Sequence, residues 1–255
     1  MHTTTADDVQ AREARHILQT YRRSPVTFVR GQGVRLWDAE GREYLDLLSG
    51  IGVASLGHAH PGLARAIADQ AQTLIHTSNL FFHPLQGQAA ERLAKLSGLP
   101  RAFFCNSGTE AVEACLKFAR RYWYTRGEPR AGIVALDGSF HGRTCGALSV
   151  TSDEHYRAPF APLLPGVTFV PANDPQALAA AVTTSTAAII AEPIQGEGGV
   201  RPMPQAFADA LRDVCAKTGT LYIADEVQSG LGRTGMGFRF QTLGLAPDLV
   251  SVGKA

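Results

Sequence analysis

Residues 221–235 read LYIADEVQSGLGRTG, and residues 249–254 read LVSVGK. Each segment begins with an apolar run typical of a buried strand and then presents a charged group, Asp225 in the first and Lys254 in the second. Because parallel strands end at the same edge of a sheet, the two groups are predicted to reach one crevice. A carboxylate and an amine that meet there form either a simple ion pair or part of a catalytic site.

The alternation of apolar bursts and helical periodicity extends over most of the chain, from residue 62 onward. Strands are predicted at 101–105, 132–136, 167–170, 188–191, 221–224 and 249–252. Helices are predicted at 62–75, 85–97, 108–126, 174–183 and 204–217. One apolar stripe recurs at helical spacing in 108–126, formed by Val112, Leu116, Ala119 and Trp123. Strands that alternate with helices favour an α/β fold in which helices cover a mostly parallel central sheet.

The first 50 residues have a different character. Residues 8–21 are predicted to form a mostly polar helix, and residues 26–48 alternate around a turn at 38–41 as a strand pair does. Near 48–52 the pattern changes from that of a hairpin to alternating strands and helices, which predicts a domain boundary. It divides the chain into a small N-terminal α+β segment, 1–50, and a large domain, 51–255.

Composition places the chain among ordinary globular proteins. Its 24 Lys and Arg balance 23 Asp and Glu, so no excess charge favours nucleic acid or an anionic membrane as a partner. The sequence contains neither the apolar core of a secretory signal nor a run approaching the roughly 18 apolar residues of a membrane span. The cysteines are too widely spaced for a Cys-x-x-Cys pair: Cys105, Cys115, Cys145 and Cys215. These features predict a cytoplasmic protein with reduced thiols.

Residues 103–110, FFCNSGTE, place a predicted strand directly before a predicted helix. Ser107 and Glu110 have the spacing of a capping box, which satisfies free amides at the start of a helix. Gly108, between two hydroxyl side chains at a helix N-terminus, instead suggests a phosphate site made of free N–H groups. The two interpretations are compatible if Ser107 caps the helix while Gly108 and Thr109 bind the anion.

Two other patterns carry less weight. Residues 230–235, GLGRTG, match the dinucleotide pattern G-x-G-x-x-G, but they do not directly follow a strand and no amphipathic helix follows them. A surface loop is the better interpretation. His58 with His60, or Asp225 with Glu226, could suggest a metal, but no third ligand stands at a recognisable spacing. No metal site is predicted.

Four further blocks occur in a fixed order: 106–111 (NSGTEA), 139–144 (SFHGRT), 192–199 (EPIQGEGG) and 225–235 (DEVQSGLGRTG). Together they resemble the class-III, ornithine-type aminotransferases of fold type I, which use pyridoxal 5'-phosphate. Lys254 lies 254 − 225 = 29 residues after Asp225, about where these enzymes carry the lysine that holds the cofactor. The resemblance extends from about Val26 to the last residue, and the joint order of the blocks makes it specific.

The resemblance implies a role for each matching residue. Lys254 would carry the cofactor and move a proton, and Asp225 would keep the ring nitrogen protonated. The other implied cofactor contacts are Ser107, Gly108 and Thr109 at the phosphate, Phe140 on the ring face, His141 beside it and Gln228 near the phenolic oxygen. For the substrate, Arg143 would bind the α-carboxylate as a bidentate fork, and Glu197 matches the family's gating glutamate.

Within the family, residues 33–41 and 76–81 resemble the branch that acts on acetylated ornithine. Ile51 agrees with this branch, because ornithine-specific relatives place a tyrosine there and an apolar residue leaves room for an acylated amine. The implied reaction transfers the δ-amino group of N2-acetyl-L-ornithine to 2-oxoglutarate, in arginine biosynthesis. The alternatives are another ω-amino acid aminotransferase, acting on succinylornithine, ornithine or 4-aminobutyrate, or a non-catalytic fragment that binds pyridoxal phosphate.

The family also implies a homodimer whose active site lies between the subunits. Its members continue well beyond the lysine that matches Lys254. The chain is therefore expected to be truncated, with the C-terminal part of the fold absent. That part would supply the arginine that pairs with Glu197 and the threonine that the dimer mate contributes to the phosphate site.

Overall fold

The computed structural model describes residues 5–254, which form two compact units. The first unit ends at His83, and the second spans Pro84–Lys254. The first unit contains, in chain order, α1 (Ala6–His16), β1 (Phe28–Gln32), β2 (Arg35–Asp38), β3 (Glu43–Leu45), α2 (Ser49–Gly52) and α3 (Pro61–Thr73). None of the described helices is both long enough and apolar enough to cross a membrane.

Two tight turns shape the first unit into a three-stranded antiparallel sheet, in the order β1-β2-β3. The predicted turn at 38–41 is confirmed, since Gly41 has a φ of 80° and donates its N–H to the Asp38 carbonyl. The prediction of two strands is wrong, because Gly33, at φ 57°, makes a second turn that separates β1 from β2. The first helix ends earlier than predicted, since Ile17 already has an extended backbone.

The boundary between the two compact units lies after His83, later than the predicted change near residue 50. His58 explains why the residues after 50 stay with the hairpins. Its backbone exchanges two hydrogen bonds with Gly33, and its Nε2 lies 2.7 Å from Oδ2 of Asp46. Within residues 5–254, no group of three or more His, Cys, Asp or Glu side chains could hold a metal ion. The division into domains 1–50 and 51–255 stays a prediction.

The second unit alternates strands with helices. Its helices and strands are, in chain order, α4 (Pro84–Ser97), α5 (Gly108–Thr125), β4 (Gly132–Leu136), α6 (Cys145–Val150), α7 (Glu154–Arg157), β5 (Val167–Val170), α8 (Pro175–Ala181), β6 (Thr186–Ala191), β7 (Ile194–Gln195), β8 (Arg201–Pro202), α9 (Gln205–Thr218), β9 (Leu221–Asp225), α10 (Arg239–Thr242) and β10 (Leu249–Ser251). The strands β4 and β5 have the predicted bounds, and the helix predicted at 108–126 is confirmed as α5.

Five parallel strands form the central sheet of this unit, in the order β10-β9-β6-β4-β5. Successive side chains point to opposite faces, so each face is covered by its own apolar cluster. Val134 and Ile189 pack in the cluster that includes α8 and α9. Ile133 and Ile190 pack in the cluster that includes the predicted stripe of α5, which is buried. The predicted helix-covered parallel sheet is confirmed.

The order of the strands places a crevice between β4 and β6. From β4 the chain crosses outward to β5, and it then returns to β6 on the other side of β4. In open α/β sheets, ligands bind outside the carboxyl ends of the strands at such a reversal of order. The loops that follow β4 and β6 are therefore the first place to look for a site.

The strand predicted at 101–105 is wrong. The backbone of these residues pairs with no strand in the described part of the chain, and Phe103 is 63% exposed. An apolar run predicts a strand only when a neighbouring strand takes up its hydrogen bonds, and none of the described strands does so.

Trp123, near the end of α5, supplies a hydrogen bond at a bulge in the central sheet. Gly132 pairs with Thr186 and Ile133 with Ala188, so Ala187 bulges out of the ladder between β4 and β6. The indole Nε1–H of Trp123 donates to the Ala187 carbonyl at 2.9 Å, and both residues are buried. A buried carbonyl without a hydrogen-bond donor would destabilise the fold, and the indole N–H is the donor for the Ala187 carbonyl.

Trp123→Phe is expected to lower the free energy of unfolding by about 1–3 kcal/mol, because the Ala187 carbonyl then stays buried without a donor. Urea unfolding of the intact protein measures this change. Tyr124→Phe is the matched control, since Tyr124 lies on the exposed side of the same helix. Equal stability of the two variants would contradict the role given to the indole.

Candidate active site

Asp225 ends β9 and is buried at the carboxyl edge of the sheet. Three groups fix its carboxylate. Oδ1 accepts from the Val227 N–H at 3.1 Å and from the Ser251 hydroxyl at 2.9 Å, and Oδ2 lies 2.6 Å from Nδ1 of His141. A buried acid held from three directions keeps one orientation, which is what a site that must present a negative charge requires.

His141 lies five residues after β4, and its side chain is fully buried against Asp225. Burial alone would lower the pKa of the imidazole, but the hydrogen bond and the charge of Asp225, with a further contribution from Glu192, raise it instead. Its Nε2 has no hydrogen-bond partner in the described part of the chain. Asp225 and His141 therefore form a buried hydrogen-bonded pair, in which Asp225 raises the pKa of the imidazole.

Lys254 follows β10 at the same edge. Ser251 of β10 pairs with Asp225 in parallel register, and Lys254 lies three residues further on. Gly253 touches the start of α5, because a Cβ built on it would lie 3.4 Å from Cα of Gly108. Lys254 itself has a φ of 50°, a conformation that residues other than glycine seldom adopt.

The alternative of a simple ion pair between Asp225 and Lys254 is wrong. The described residues show no salt bridge between them, and the ionic partner of Asp225 is His141. Asp225 and Lys254 lie at the same edge of the sheet, at the end of one strand and just after its neighbour, without forming a salt bridge. Their catalytic roles stay predictions.

The start of α5 is capped by Ser107, which accepts from the Glu110 N–H at 3.3 Å, so this half of the predicted capping box is confirmed. The Glu110 carboxylate accepts from the Ser107 hydroxyl at 3.0 Å and from the Asn106 N–H at 2.9 Å, and not from the Ser107 N–H. The amides of Gly108 and Thr109 have no acceptor within residues 5–254. Free amides at the N-terminus of a helix suit an anion, and the phosphate site at this end of α5 stays a prediction. The hydroxyl of Thr109 is bonded to Thr144 at 2.9 Å.

The connection between β7 and β8 places Glu197 beside the loop after β9. Gln228 donates its Nε2–H to Oε1 of Glu197 at 3.0 Å. Gly196 permits this approach, since a Cβ there would lie 1.4 Å from Oε1 of Gln228. Two residues with predicted roles at opposite parts of the site are thus hydrogen-bonded to each other.

Glu192, directly after β6, is a buried acid for which the sequence suggested no separate role. Its Oε1 accepts from the Phe140 N–H at 2.9 Å, and its Oε2 accepts from the Gly196 N–H at 3.3 Å. Burial raises the pKa of Glu192 to about 7; the charge of His141 opposes the rise and that of Asp225 adds to it. Only the strand order, which places β4 beside β6, reveals this contact.

Phe140 and Arg143 share an aromatic neighbour. The ring of Tyr156 lies edge-on to Phe140, with the centroids 6.1 Å apart, and its centroid is 4.8 Å from the guanidinium carbon of Arg143. Arg143 is exposed, as a residue that binds an incoming carboxylate must be. The ring-stacking and carboxylate roles remain predictions for these two residues.

Ile51 belongs to the first unit and has a left-handed backbone conformation. It lies in α2, where Gly50 and Ile51 have φ values of 64° and 63°, in the left-handed region. A β-branched residue is rarely found there, and such strain is concentrated at functional sites. Its contact with substrate remains a prediction.

Comparison with known proteins gives the family. Residues 17–255 match the model of the Aminotransferase class-III family. The chain is 47% identical, over 253 residues and 99% of its length, to an acetylornithine aminotransferase of Myxococcus xanthus. It is 46% identical, over 244 residues, to an acetylornithine aminotransferase of Methanocaldococcus jannaschii. It spans 63% and 61% of these two relatives, or about three fifths of their length.

Solved structures agree. An ornithine aminotransferase from Toxoplasma gondii superposes with a TM-score of 0.93 at 34% identity, covering 99% of this chain and 60% of its own. An (S)-enantioselective omega-transaminase from Thermomicrobium roseum gives a TM-score of 0.93 at 33% identity, covering 98% of this chain and 63% of its own. The match over nearly the whole chain, with the acid of β9 and the lysine after β10 at one sheet edge, shows that this chain belongs to the class-III aminotransferase family.

Proposed function

We propose that the whole protein transfers the δ-amino group of N2-acetyl-L-ornithine to 2-oxoglutarate with the help of pyridoxal 5'-phosphate. The products are N-acetyl-L-glutamate 5-semialdehyde and L-glutamate, and the reaction belongs to arginine biosynthesis. The observation that carries the proposal is the buried Asp225 paired in register with the strand that leads to Lys254. The 47% identity to an acetylornithine aminotransferase supports the choice of substrate.

The residues at the crevice fit this cofactor in charge and in shape. Asp225 offers a fixed negative charge, which favours the protonated form of a pyridine nitrogen. The free amides of Gly108 and Thr109 suit a phosphate group. Gly108 also keeps the helix start close to the loop after β9, since a Cβ there would lie 2.8 Å from Cγ1 of Val227. Lys254 follows a glycine that touches the same helix start.

Bound there, pyridoxal phosphate supplies an electron-poor ring that takes up the electrons released when the carbon bearing the reacting amine loses its proton. Lys254 holds the cofactor and, once free as a neutral amine, removes and returns that proton at its Nζ. Arginine could not do so, because a guanidinium keeps its proton at neutral pH. Asp225 holds the ring nitrogen in its protonated form, and His141 fixes the direction of the Asp225 carboxylate.

The remaining residues orient the substrates. Arg143 binds the α-carboxylate with two parallel hydrogen bonds, which fixes the direction of the substrate chain. Glu197 and Gln228 are hydrogen-bonded to each other, and the resemblance implies that Glu197 would face the substrate and Gln228 the phenolic oxygen of the cofactor. The resemblance also implies that Ile51 would leave room for the acetyl group and that Phe140 would cover one face of the ring.

The protein is also proposed to act as a homodimer in the cytoplasm, with small molecules as its substrates and with neither nucleic acid nor membrane as a partner. Large apolar side chains on the first unit support a subunit partner: Leu80 is 85% exposed and Phe82 fully so. Burial of such a patch against a second copy would be favourable. The four free cysteines are compatible with a reducing compartment.

Amine-donor profiling of the intact protein tests the proposal. With 2-oxoglutarate as acceptor, we expect kcat/KM to be highest for N2-acetylornithine among acetylornithine, succinylornithine, ornithine and 4-aminobutyrate. A clear preference for another of these donors would replace the substrate assignment and leave the family unchanged. Cofactor binding without amino transfer from any donor would favour the non-catalytic alternative.

Arg143→Lys is expected to raise KM for acetylornithine about tenfold, with a smaller effect on kcat, because a point charge replaces a bidentate fork. Steady-state kinetics of the intact protein measure both constants. Arg212→Lys is the matched control, since Arg212 is bonded to Asp209 on the exposed side of α9. Unchanged kinetics in Arg143→Lys would remove this residue from the carboxylate role.

A further inference from the structure

One carboxylate joins the two loops that border the crevice. Glu192, directly after β6, accepts hydrogen bonds from the N–H of Phe140, in the loop after β4, and from the N–H of Gly196, between β7 and β8. The residue is only 6% exposed, so neither hydrogen bond competes with bulk water. Hydrogen bonds to an ionised acceptor are about twice as strong as neutral ones, particularly in a buried setting.

The hydrogen bond between Glu192 and Phe140 lies where the order of the strands reverses. Val134 of β4 pairs with Ile189 of β6, and the order of the sheet reverses between these two strands. The carboxyl ends of β4 and β6 thus border the crevice from opposite sides. Glu192 is the first residue after β6 and spans the gap to Phe140.

The same two loops touch at a second place. Gln195 donates its Nε2–H to the Asp137 carbonyl at 2.9 Å. A Cβ on Gly198 would lie 2.4 Å from the Gly138 carbonyl oxygen, so only glycine permits the approach. These contacts hold the outer parts of the loops together. Glu192 holds the parts that carry Phe140 and lead to Glu197.

The charges around Glu192 shift its pKa in opposite directions. His141, in the loop after β4, favours its ionised form, and Asp225, at the end of β9, disfavours it. The two backbone N–H groups also favour the ionised form. Burial is the largest influence and raises the pKa of Glu192 to about 7, and the two amides oppose that rise.

We propose that Glu192 is a positioning residue that couples the ring-stacking loop of Phe140 to the loop that presents Glu197. A single side chain thereby sets the spacing between the group that covers the cofactor and the group that faces the substrate. This inference rests on the proposed function for its kinetic consequence, but the coupling of the loops can be measured without it.

The test is Glu192→Gln in the intact protein. A glutamine of the same size offers an oxygen to one amide and an NH2 group to the other, so it can keep at most one of the two hydrogen bonds. Glu192→Asp is a second variant, because its side chain is one methylene shorter and cannot reach both amides. The control for loss of a carboxylate charge elsewhere in the chain is Asp174→Asn: Oδ1 of Asp174 accepts from the Gln176 and Ala177 amides, both at 3.0 Å, at the start of α8, and an asparagine oxygen can keep both bonds.

Amide hydrogen exchange of segments 138–144 and 194–199 is the first measurement. We expect at least one segment to exchange about tenfold faster or more in both Glu192 variants, with no change there in Asp174→Asn. Steady-state kinetics are the second measurement. We expect kcat/KM to fall about 10- to 100-fold for both acetylornithine and 2-oxoglutarate in Glu192→Gln, and to stay unchanged in Asp174→Asn.

Unchanged exchange in both segments would overturn the coupling. The coupling would also be overturned if Glu192→Gln and Asp174→Asn lost activity in the same proportion to their loss of melting temperature. The role of Glu192 would then be merely structural. If the natural protein transfers no amino group, the proposed function fails. The exchange experiment then still decides the role of Glu192.

Discussion

Lys254→Ala is expected to abolish amino transfer in the intact protein while leaving the fold unchanged. The side chain is proposed both to hold the cofactor and to move the proton, and a positioned acid–base group alone contributes about 100- to 10,000-fold to a rate. Loss of the attachment adds to this. Lys254 is half-buried and forms no salt bridge within residues 5–254, so its removal breaks no packing of the core.

Three measurements check this result. Single-turnover kinetics follow the reaction, the visible absorbance of the lysine-bound cofactor should disappear, and the melting temperature should stay near that of the natural protein. Lys217→Ala is the control, since Lys217 is an exposed lysine in the last turn of α9. Retention of the absorbance band and of activity in Lys254→Ala would remove the residue from the catalytic centre, and with it the proposed mechanism.

Asp225→Asn is expected to lower kcat/KM about 10- to 1,000-fold. An opposite charge at hydrogen-bond distance typically shifts a pKa by about 1–3 units, and that is the advantage the ring nitrogen would lose. The substitution keeps the size of the side chain. The oxygen of an asparagine can still accept from Val227 and Ser251, so the substitution removes the charge and the hydrogen bond of Oδ2 with His141.

The pKa of His141 provides an independent measure of the same change. In the natural protein the bond and the charge of Asp225 raise this pKa above its ordinary value of 6.5. Without that charge, burial of the ring dominates, and the pKa should fall below 6.5. Since the raised pKa belongs to the folded state, the pair stabilises the fold below pH 6.5, and its contribution is lost as pH rises through the folded-state value. Nuclear magnetic resonance titration of His141 measures the shift in the natural protein and in Asp225→Asn. An unchanged pKa would show that Asp225 is not its charged partner.

Local patterns predicted most of the second unit. The stripe of α5 repeats at helical spacing, and β4 and β5 are short apolar runs between turns, so their bounds follow from the sequence alone. The failures were of another kind. Residues 101–105 have the composition of a strand, but no described strand pairs with them. Gly33 makes a turn inside a run whose residues otherwise alternate as in a single strand. Both depend on pairing or backbone angles that a one-dimensional pattern does not contain.

The candidate site divides in the same way. Asp225 and Lys254 could be placed at one edge, because parallel strands bring their ends together. The contact of His141 with Asp225 joins residues 84 apart in sequence, and the hydrogen bond from Phe140 to Glu192 joins residues 52 apart. Neither spacing carries a signal until the order of the strands is known. The residues with chemistry were thus visible in the sequence, whereas the residues that hold them in place were not.

The three donors around Asp225 have a consequence for how the protein matures. They come from residues 141, 227 and 251, and the last of these lies on the edge strand β10. A ribosome makes residue 251 after every other part of that network, so a nascent chain can complete β9 long before its acid is fully oriented. The Asp225 carboxylate should therefore reach its full set of hydrogen bonds only after the end of β10 has left the ribosome.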